Sequence, residues 1–166
     1  MNIIMTGSTS FVGAATVREL LRRGHTVTAI VRPKSSKLDT ILEGNEEALL
    51  SGRLLVTEND LSEPEKLLEK VTKPQDVFCH FGWGGSGSAS RTDKALQEKN
   101  MEISLETIRT AKALGCKKFL FSGSQAEYGM HQDLITENTV CEPKSLYGEA
   151  KLAMREKGEK LCDELG

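Results

Sequence analysis

Aromatic side chains are scarce in this sequence of 166 residues, at 5% of the total. A stacking platform for single-stranded nucleic acid needs several exposed aromatic rings, so we do not expect one here. Positive charge is not in excess either, because 22 Lys and Arg stand against 24 Asp and Glu and leave a formal charge of −2. This balance excludes a dedicated nucleic-acid binder, which would carry a dense basic surface.

Long apolar runs and paired cysteines are also missing. No segment approaches the roughly 20 apolar residues of a membrane-spanning helix, and the N-terminus lacks the charged and apolar regions of a secretory signal. The four cysteines form no C-x-x-C pair, which argues against a zinc knuckle and a thioredoxin-type motif. We therefore expect a cytoplasmic protein with reduced thiols, no membrane partner and no bound metal.

Short apolar runs alternate with helical patterns along the chain, and this alternation predicts an α/β domain with a parallel sheet. Right-handed crossovers favour a Rossmann-like, doubly wound strand order of 3-2-1-4-5 within one domain over residues 1–166. Strands are expected at 2–6, 26–31, 53–58, 76–81 and 118–122. Helices are expected at 11–23, from a capping box at 62–65 to about residue 70, at 92–114 and at 146–165, with one or two short helices within 34–52. The first helix should bury an apolar stripe of Phe11, Val12, Ala15, Leu20 and Leu21.

A glycine-rich turn, T-G-S-T-S-F-V-G, lies between the first strand and the first helix, from Thr6 to Gly13. Such a turn lets a pyrophosphate approach closely, because the glycines leave room and the unpaired amides of the helix N-terminus face the phosphates. Ser10 stands at the place of the middle glycine and is small enough to fit, although it tightens the loop. The alternative is an ordinary turn of an unrelated α/β protein.

A cation follows the second strand where NAD-binding proteins normally carry a carboxylate for the adenosine ribose. Arg32 occupies this place, with Lys34 and Lys37 close behind. An arginine cannot accept a hydrogen bond from a ribose hydroxyl, but it can hold a 2′-phosphate with two parallel hydrogen bonds. The sequence therefore favours NADP over NAD, and the alternative is a solvated basic residue in a surface loop.

A tyrosine and a lysine one turn apart open the last predicted helix, as Tyr147 and Lys151. Residues at i and i+4 share a helix face, and a nearby lysine cation stabilises a phenolate, which makes it a usable base. Ser124, just beyond the fifth strand, can hydrogen-bond the same substrate oxygen. The motif is weak alone, but the glycine turn and the upstream serine strengthen it.

These stretches together resemble the NAD(P)-dependent epimerase/dehydratase family, the extended short-chain dehydrogenases/reductases. The matching stretches, in family order along essentially the whole chain, are TGSTSFVG at 6–13, NDL at 59–61, HFGWGG at 80–85, Asn100, SGSQAEYG at 122–129 and YGEAK at 147–151.

The resemblance implies cofactor contacts for most of these motifs. The glycine turn would line the pyrophosphate, Asp60 and Leu61 would contact adenine, and Phe81 and Gly82 would pack under the cofactor. Together with Arg32, the expected cofactor-binding residues are Gly7, Ser10, Phe11, Val12, Gly13, Asp60, Leu61, Phe81, Gly82, Asn100, Tyr147 and Lys151.

The resemblance also implies catalytic roles. Tyr147 would be the acid/base, Lys151 would tune it and orient the nicotinamide ribose, and Ser124 would hold the reacting oxygen. Family dehydratases carry an acidic pair after the serine position, but here Gln125 and Ala126 follow. The form SGSQAEYG is closer to nucleotide-sugar 4-epimerases and 4-keto reductases, which the motifs do not separate.

A glycine- and serine-rich stretch, residues 82–90, is either a linker or, as we expect from its place between a strand and a helix, a binding loop. For Trp83, within this stretch, two roles are open: it shields the nicotinamide or the sugar, or it only packs against neighbouring side chains.

Family members are about twice as long as this chain, and their later residues hold the nucleotide-sugar. We expect a truncated or fragmentary chain without the usual C-terminal substrate domain; a partner chain that completes the fold is another explanation. The main functional hypothesis is an enzyme acting on a nucleotide-sugar. The alternatives are a dinucleotide-binding module or inactive fragment and, less favoured, a mononucleotide-binding domain. Homodimerisation through the two long helices is a further expectation.

Overall fold

The computed structural model describes residues 1–85 and 87–166 and contains a five-stranded parallel sheet. Its strands are β1 (Asn2–Thr6), β2 (Thr26–Val31), β3 (Leu54–Glu58), β4 (Val77–His80) and β5 (Lys118–Phe121). The strand order is β3-β2-β1-β4-β5, which confirms the predicted doubly wound arrangement. Within the sheet, Ile4 of β1 lies opposite Thr28 of β2 and Phe78 of β4.

Helices connect the strands, and several differ from expectation at their ends. The α-helices are α1 (Phe11–Arg22), α2 (Asp39–Leu42), α3 (Glu46–Leu50), α4 (Leu67–Lys70), α5 (Lys94–Ala113) and α6 (Leu146–Leu165). The predicted capping box before α4 is wrong, because the Ser62 hydroxyl donates to Asp60 Oδ1 at 2.6 Å and does not cap the helix. A short 3-10 helix, Pro64–Lys66, precedes α4 instead.

The chain divides into two compact units. The first comprises residues 1–82 and 106–121 and contains the whole sheet. The second comprises residues 83–105 and 122–166 and contains α6 and two 3-10 helices, Ala89–Thr92 and Gln125–Glu127.

Two apolar clusters form the core of the first unit, one on each face of the sheet. Successive side chains of a strand point to opposite faces, so Ile3 and Met5 join one cluster and Ile4 joins the other. The first cluster packs the sheet against α1, α2 and α3, and the second packs it against α4 and the end of α5.

The buried face of α1 differs from the predicted stripe. The buried residues are Gly13, Ala14, Val17 and Leu21, whereas Phe11 is 93% exposed and Val12 and Ala15 are also exposed. Because the close packing of Gly13 fixes the rotation of the helix, two large apolar side chains at its first turn face solvent. The expected stripe is therefore wrong at these three positions.

Strand β5 lies at one edge of the sheet, and Leu120 on it is almost half exposed. Among the residues that the structure describes, no helix is long and apolar enough to cross a lipid bilayer.

The buried hydroxyl of Ser8 joins the first turn to β2, and its removal should destabilise the fold. Ser8 is fully buried, and its Oγ donates to the carbonyl of Ile30 at 2.7 Å. Ser8→Ala leaves that carbonyl without its donor, so we expect a loss of about 1–2 kcal/mol in the free energy of unfolding. Urea unfolding measures it, with Ser36→Ala as an exposed control. An equal, negligible loss in both variants would contradict the expectation.

Candidate functional site

Close backbone contacts build the glycine turn in the first unit. Gly7 has a positive φ of +68°, and a Cβ atom there would lie 2.6 Å from the carbonyl carbon of Phe81. A Cβ on Gly13 would lie 2.1 Å from the carbonyl oxygen of Gly7. Only glycine fits at either place, so the turn brings β1, α1 and the end of β4 together by backbone contact.

Ser10 caps α1 and does not replace a glycine that the conformation needs. Its φ of −75° and ψ of 167° are ordinary extended values, and its Oγ accepts a hydrogen bond from the amide of Gly13 at 3.0 Å. This is the usual N-cap interaction. The serine therefore uses one of the free amides at the helix N-terminus and leaves the others for a ligand.

The end of β4 is fixed by Thr6. The Thr6 hydroxyl lies 2.9 Å from Nδ1 of the buried His80 and accepts from the amide of Gly82 at 3.2 Å. Leu61 packs directly over Gly82, since a Cβ there would lie 2.6 Å from Leu61 Cδ1. The structure thus brings two of the predicted cofactor motifs, NDL and HFG, into contact within the first unit.

Cationic side chains lie after β2 and beside the glycine turn. Arg32 follows β2 directly and is exposed. A separate cleft of about 440 Å³ lies beside the turn and is lined by Ser10, Phe11, Arg18 and Lys37, among others. Arg18 donates to the carbonyl of Thr40 across this cleft at 3.0 Å.

In the second unit, α5 holds the glycine- and serine-rich loop. The indole N–H of Trp83 donates to Gln97 Oε1 at 3.0 Å, and the amide of Gln97 donates to the carbonyl of Ser90 at 2.8 Å. The buried Asn100 side chain accepts from the amide of Gly84 and donates to its carbonyl. These hydrogen bonds attach Trp83, Gly84 and Ser90 to side chains of α5. Ser86 lies outside the described residues.

Tyr147 and Lys151 lie one turn apart at the start of α6, as predicted, and Trp83 lies against both. The rings of Trp83 and Tyr147 meet edge to face with centroids 6.2 Å apart. The ammonium of Lys151 lies 3.9 Å from the centroid of the Trp83 ring and donates to the carbonyl of Ser122 at 2.8 Å. Trp83 thus takes part in packing and contacts both expected catalytic side chains.

Ser124 begins the 3-10 helix Gln125–Glu127, which packs against the start of α6. The Ser124 hydroxyl accepts from the amide of Ala126 at 3.2 Å, and a hydroxyl keeps one proton to donate. A Cβ on Gly148 would lie 2.3 Å from the carbonyl oxygen of Ala126, so this glycine permits the close approach. The structure therefore brings the segment of Ser124 next to the helix of Tyr147.

Glu127 is a site residue for which the sequence analysis gave no role. It is 3% exposed, its Oε1 accepts from the amide of Ser124 at 2.6 Å, and its Oε2 lies 3.4 Å from Nε of Arg155. Together with Ser124 it forms a capping box. The pattern S-Q-A-E at 124–127 is the standard signature of such a box and could have revealed it.

Burial lowers the pKa of Lys151 to about 8, and the negative charge of Glu127 partly opposes this shift. Lys151 is 3% exposed. Loss of water destabilises an ammonium, and the Trp83 face and the Ser122 carbonyl replace only part of its hydration. A lysine with this pKa can lose or gain its proton near neutral pH.

The lowered pKa of Lys151 should make stability depend on pH. Between about pH 8 and pH 10.5 the unfolded chain binds this proton and the folded chain does not, so stability rises with pH in this window. Relative to Lys151→Met, the wild-type chain should gain about 2 kcal/mol of unfolding free energy from pH 7 to pH 10. Urea unfolding at both pH values checks this, with the exposed Lys157→Met as control. A difference between wild type and Lys151→Met that does not change with pH would refute it.

The comparisons with known proteins agree with the fold and the motifs. A model of the NAD dependent epimerase/dehydratase family matches residues 3–166. The dTDP-6-deoxy-L-talose 4-dehydrogenase (NAD(+)) of Aggregatibacter actinomycetemcomitans is 30% identical over 158 residues, which are 94% of this chain and 53% of that protein. A UDP-glucose 4-epimerase of Pisum sativum is 27% identical over 159 residues, which are 93% and 45% of the two chains.

A solved structure also matches nearly the whole of this chain. The UDP-N-acetylglucosamine 4-epimerase of Methanobrevibacter ruminantium M1 is 26% identical, with a TM-score of 0.81 over 99% of this chain and 51% of that one. The chain thus spans about half the length of the relatives it matches. With the family match along nearly its whole length, the chain belongs to the NAD dependent epimerase/dehydratase family.

Proposed function

We propose that residues 1–166 form the NAD(P)-binding domain of a nucleotide-sugar 4-epimerase or 4-keto reductase. In this proposal a hydride moves at a sugar carbon, and Ser124, Tyr147 and Lys151 serve the reacting hydroxyl. The observation that carries it is the packing of Gly148 on Ala126, which brings the Tyr147–Lys151 helix next to the segment of Ser124. The names of the relatives, which are nucleotide-sugar dehydrogenases and epimerases, support the same substrate class.

Tyr147 is the proposed acid/base. As a phenolate it takes the proton from a sugar hydroxyl when that hydroxyl becomes a ketone, and as a phenol it returns the proton in the reverse direction. Ser124 donates its free hydroxyl proton to the same sugar oxygen. Its own oxygen is held by the amide of Ala126, so the hydroxyl is oriented before substrate arrives.

Lys151 is the proposed electrostatic partner of Tyr147. Its ammonium lies 5.9 Å from the centroid of the Tyr147 ring, and in this proposal it offsets the negative charge that passes through Tyr147 during proton transfer. Contact with the Trp83 face and the Ser122 carbonyl keeps this ammonium on the Tyr147 side of α6.

The glycine turn fits a dinucleotide. Gly7 and Gly13 admit no Cβ, and the turn opens into the N-terminus of α1, where amides beyond the one held by Ser10 face outwards. Gly7, Ser10, Gly13 and the exposed Phe11 and Val12 would hold the pyrophosphate. When bound, the nicotinamide supplies the acceptor or donor of the hydride.

The local environment of Glu127 supports an epimerase or reductase over a dehydratase. Elimination of water from a sugar needs a further acid and base, yet Gln125 and Ala126 carry no charge. Glu127 is acidic, but its carboxylate is buried and bonded to the Ser124 amide and Arg155. It is therefore unsuited to proton transfer with a sugar.

We also propose a preference for NADP over NAD. Arg32 is exposed directly after β2, and the cleft beside the glycine turn is lined by two cations, Arg18 and Lys37, against one carboxylate, Glu43. The name of the family and that of the dTDP-6-deoxy-L-talose 4-dehydrogenase both carry NAD, so a preference for NADP would distinguish this chain from that relative. Pairing through α5 and α6 and a cytoplasmic location also stay predictions.

The preference depends on Arg32 in this proposal. Arg32→Gln should weaken NADPH binding by roughly tenfold or more and leave NADH binding nearly unchanged, because only NADPH has the 2′-phosphate that the guanidinium holds. A fluorescence titration of the reduced cofactors measures both affinities. Arg22→Gln, an exposed arginine at the end of α1, is the matched control. Equal affinities for NADH and NADPH in the wild-type chain would disprove the preference.

The catalytic proposal is tested by Tyr147→Phe, which keeps the ring that Trp83 contacts but removes the acid/base. We expect conversion of UDP-glucose with bound cofactor to fall by about 10²–10⁴-fold, while cofactor affinity is retained. Tyr128→Phe is the matched control, since Tyr128 is the only other tyrosine of the chain.

The results separate the two functional classes. A Tyr147→Phe variant with near wild-type turnover would contradict the catalytic assignment. Saturable cofactor binding without turnover in the wild-type chain would instead favour a dinucleotide-binding module.

A further inference from the structure

Arg91 is a charged side chain of the second unit to which the proposed reaction gives no role. It lies in the 3-10 helix Ala89–Thr92, is exposed, and its guanidinium carbon is 5.0 Å from the centroid of the Tyr147 ring. Among the residues that the structure describes, no carboxylate forms an ion pair with it. The nearest acidic residue along the chain, Asp93, accepts from the amide of Leu96 and caps α5.

Hydrogen bonds of the Gln97 side chain hold the residue next to Arg91 in place. Gln97, which is 2% exposed, binds both the Trp83 indole and the carbonyl of Ser90, the residue directly before Arg91. A buried amide that joins these two points fixes the base of the arginine side chain. The backbone at Ser90, directly before Arg91, is therefore already held in place before a ligand binds, and this supports a binding role for the arginine.

The charge around Tyr147 is positive. Arg91 and Lys151 both approach its ring, at 5.0 and 5.9 Å. Glu127 is the buried acid of this region, and Arg155 already pairs with it at 3.4 Å. A negative group that enters next to Tyr147 therefore meets two cations, one of which is accessible from solvent.

From this geometry we propose that Arg91 binds an oxyanion of the substrate, a carboxylate or a phosphate, beside the hydroxyl that reacts with Tyr147. A guanidinium offers a planar fork of donors that matches either group. The proposal rests on the proposed function, because it places the anion on the molecule that Tyr147 deprotonates. It adds that the substrate is recognised by charge close to the reacting carbon.

Trp83 makes the proposal directly measurable. It is the only tryptophan of the chain and contacts both Tyr147 and Lys151, so its fluorescence reports on this site. Two pairs of probes differ only in the anion: glucuronate against glucose, and UDP against uridine. Titrations at constant ionic strength, with excitation selective for tryptophan, give an affinity for each probe.

We expect the wild-type chain to bind at least one anionic probe more tightly than its neutral counterpart. Arg91→Gln should weaken that binding roughly ten- to hundredfold and leave the neutral probe unchanged. Arg91→Lys keeps the charge but loses the fork, and should fall between the two. Arg109→Gln, an exposed arginine on α5, should bind like wild type. The pair that responds identifies a sugar carboxylate or the diphosphate as the source of the anion.

The proposal is overturned if neither anion changes the Trp83 signal of the folded chain, or if Arg91→Gln binds both anions as tightly as Arg109→Gln. Circular dichroism and the thermal midpoint confirm that each variant is folded. A failure here with intact NADPH binding and a Tyr147-dependent reaction would reject Arg91 alone. Loss of those two properties would reject the proposed function itself.

Discussion

The buried carboxylate of Glu127 organises the second unit. One oxygen holds the amide of Ser124, the other pairs with Arg155 on α6, and its charge favours the protonated form of Lys151. A carboxylate that is 3% exposed is costly to bury unless its charge is compensated, and here a backbone amide and a guanidinium lie against it. The orientation of the proposed serine, the position of α6 and the charge state of the lysine consequently depend on one side chain that touches no substrate in our proposal.

Close contacts between backbone atoms fix the spacing of other elements of the molecule. In the first unit the glycine turn leaves no room for a Cβ at Gly7 or Gly13, and in the second Gly148 leaves none against Ala126. A larger residue would force the elements apart by more than an ångström, and closely packed structures rarely absorb such a shift cheaply. Backbone contacts of this kind set the distance between elements, and side chains then adjust within it.

The sequence alone predicted the strand order and each strand to within one residue at either end, because buried parallel strands are apolar runs and right-handed crossovers restrict their arrangement. It also predicted that Tyr147 and Lys151 share a helix face, since that follows from spacing. It did not predict the exposed Phe11, because the rotation of α1 is set by the backbone contact of Gly13 with Gly7, which the spacing of apolar residues does not show. The role proposed for Arg91 could not be read from the sequence either, since it depends on the hydrogen bond between Gln97 and Ser90.

Burial of the Lys151 ammonium lowers the stability of the folded chain, and the proposed proton transfer offers a reason for this cost. A lysine with 3% exposure and a pKa of about 8 lowers the stability of the folded chain at neutral pH, and a methionine of similar length would fill the same space without that penalty. The ammonium lies against the face of the Trp83 indole and donates to the carbonyl of Ser122, and these contacts hold it in place within the second unit. In the proposed reaction this cation acts on the neighbouring Tyr147, and that role would account for the stability that the fold loses at this position.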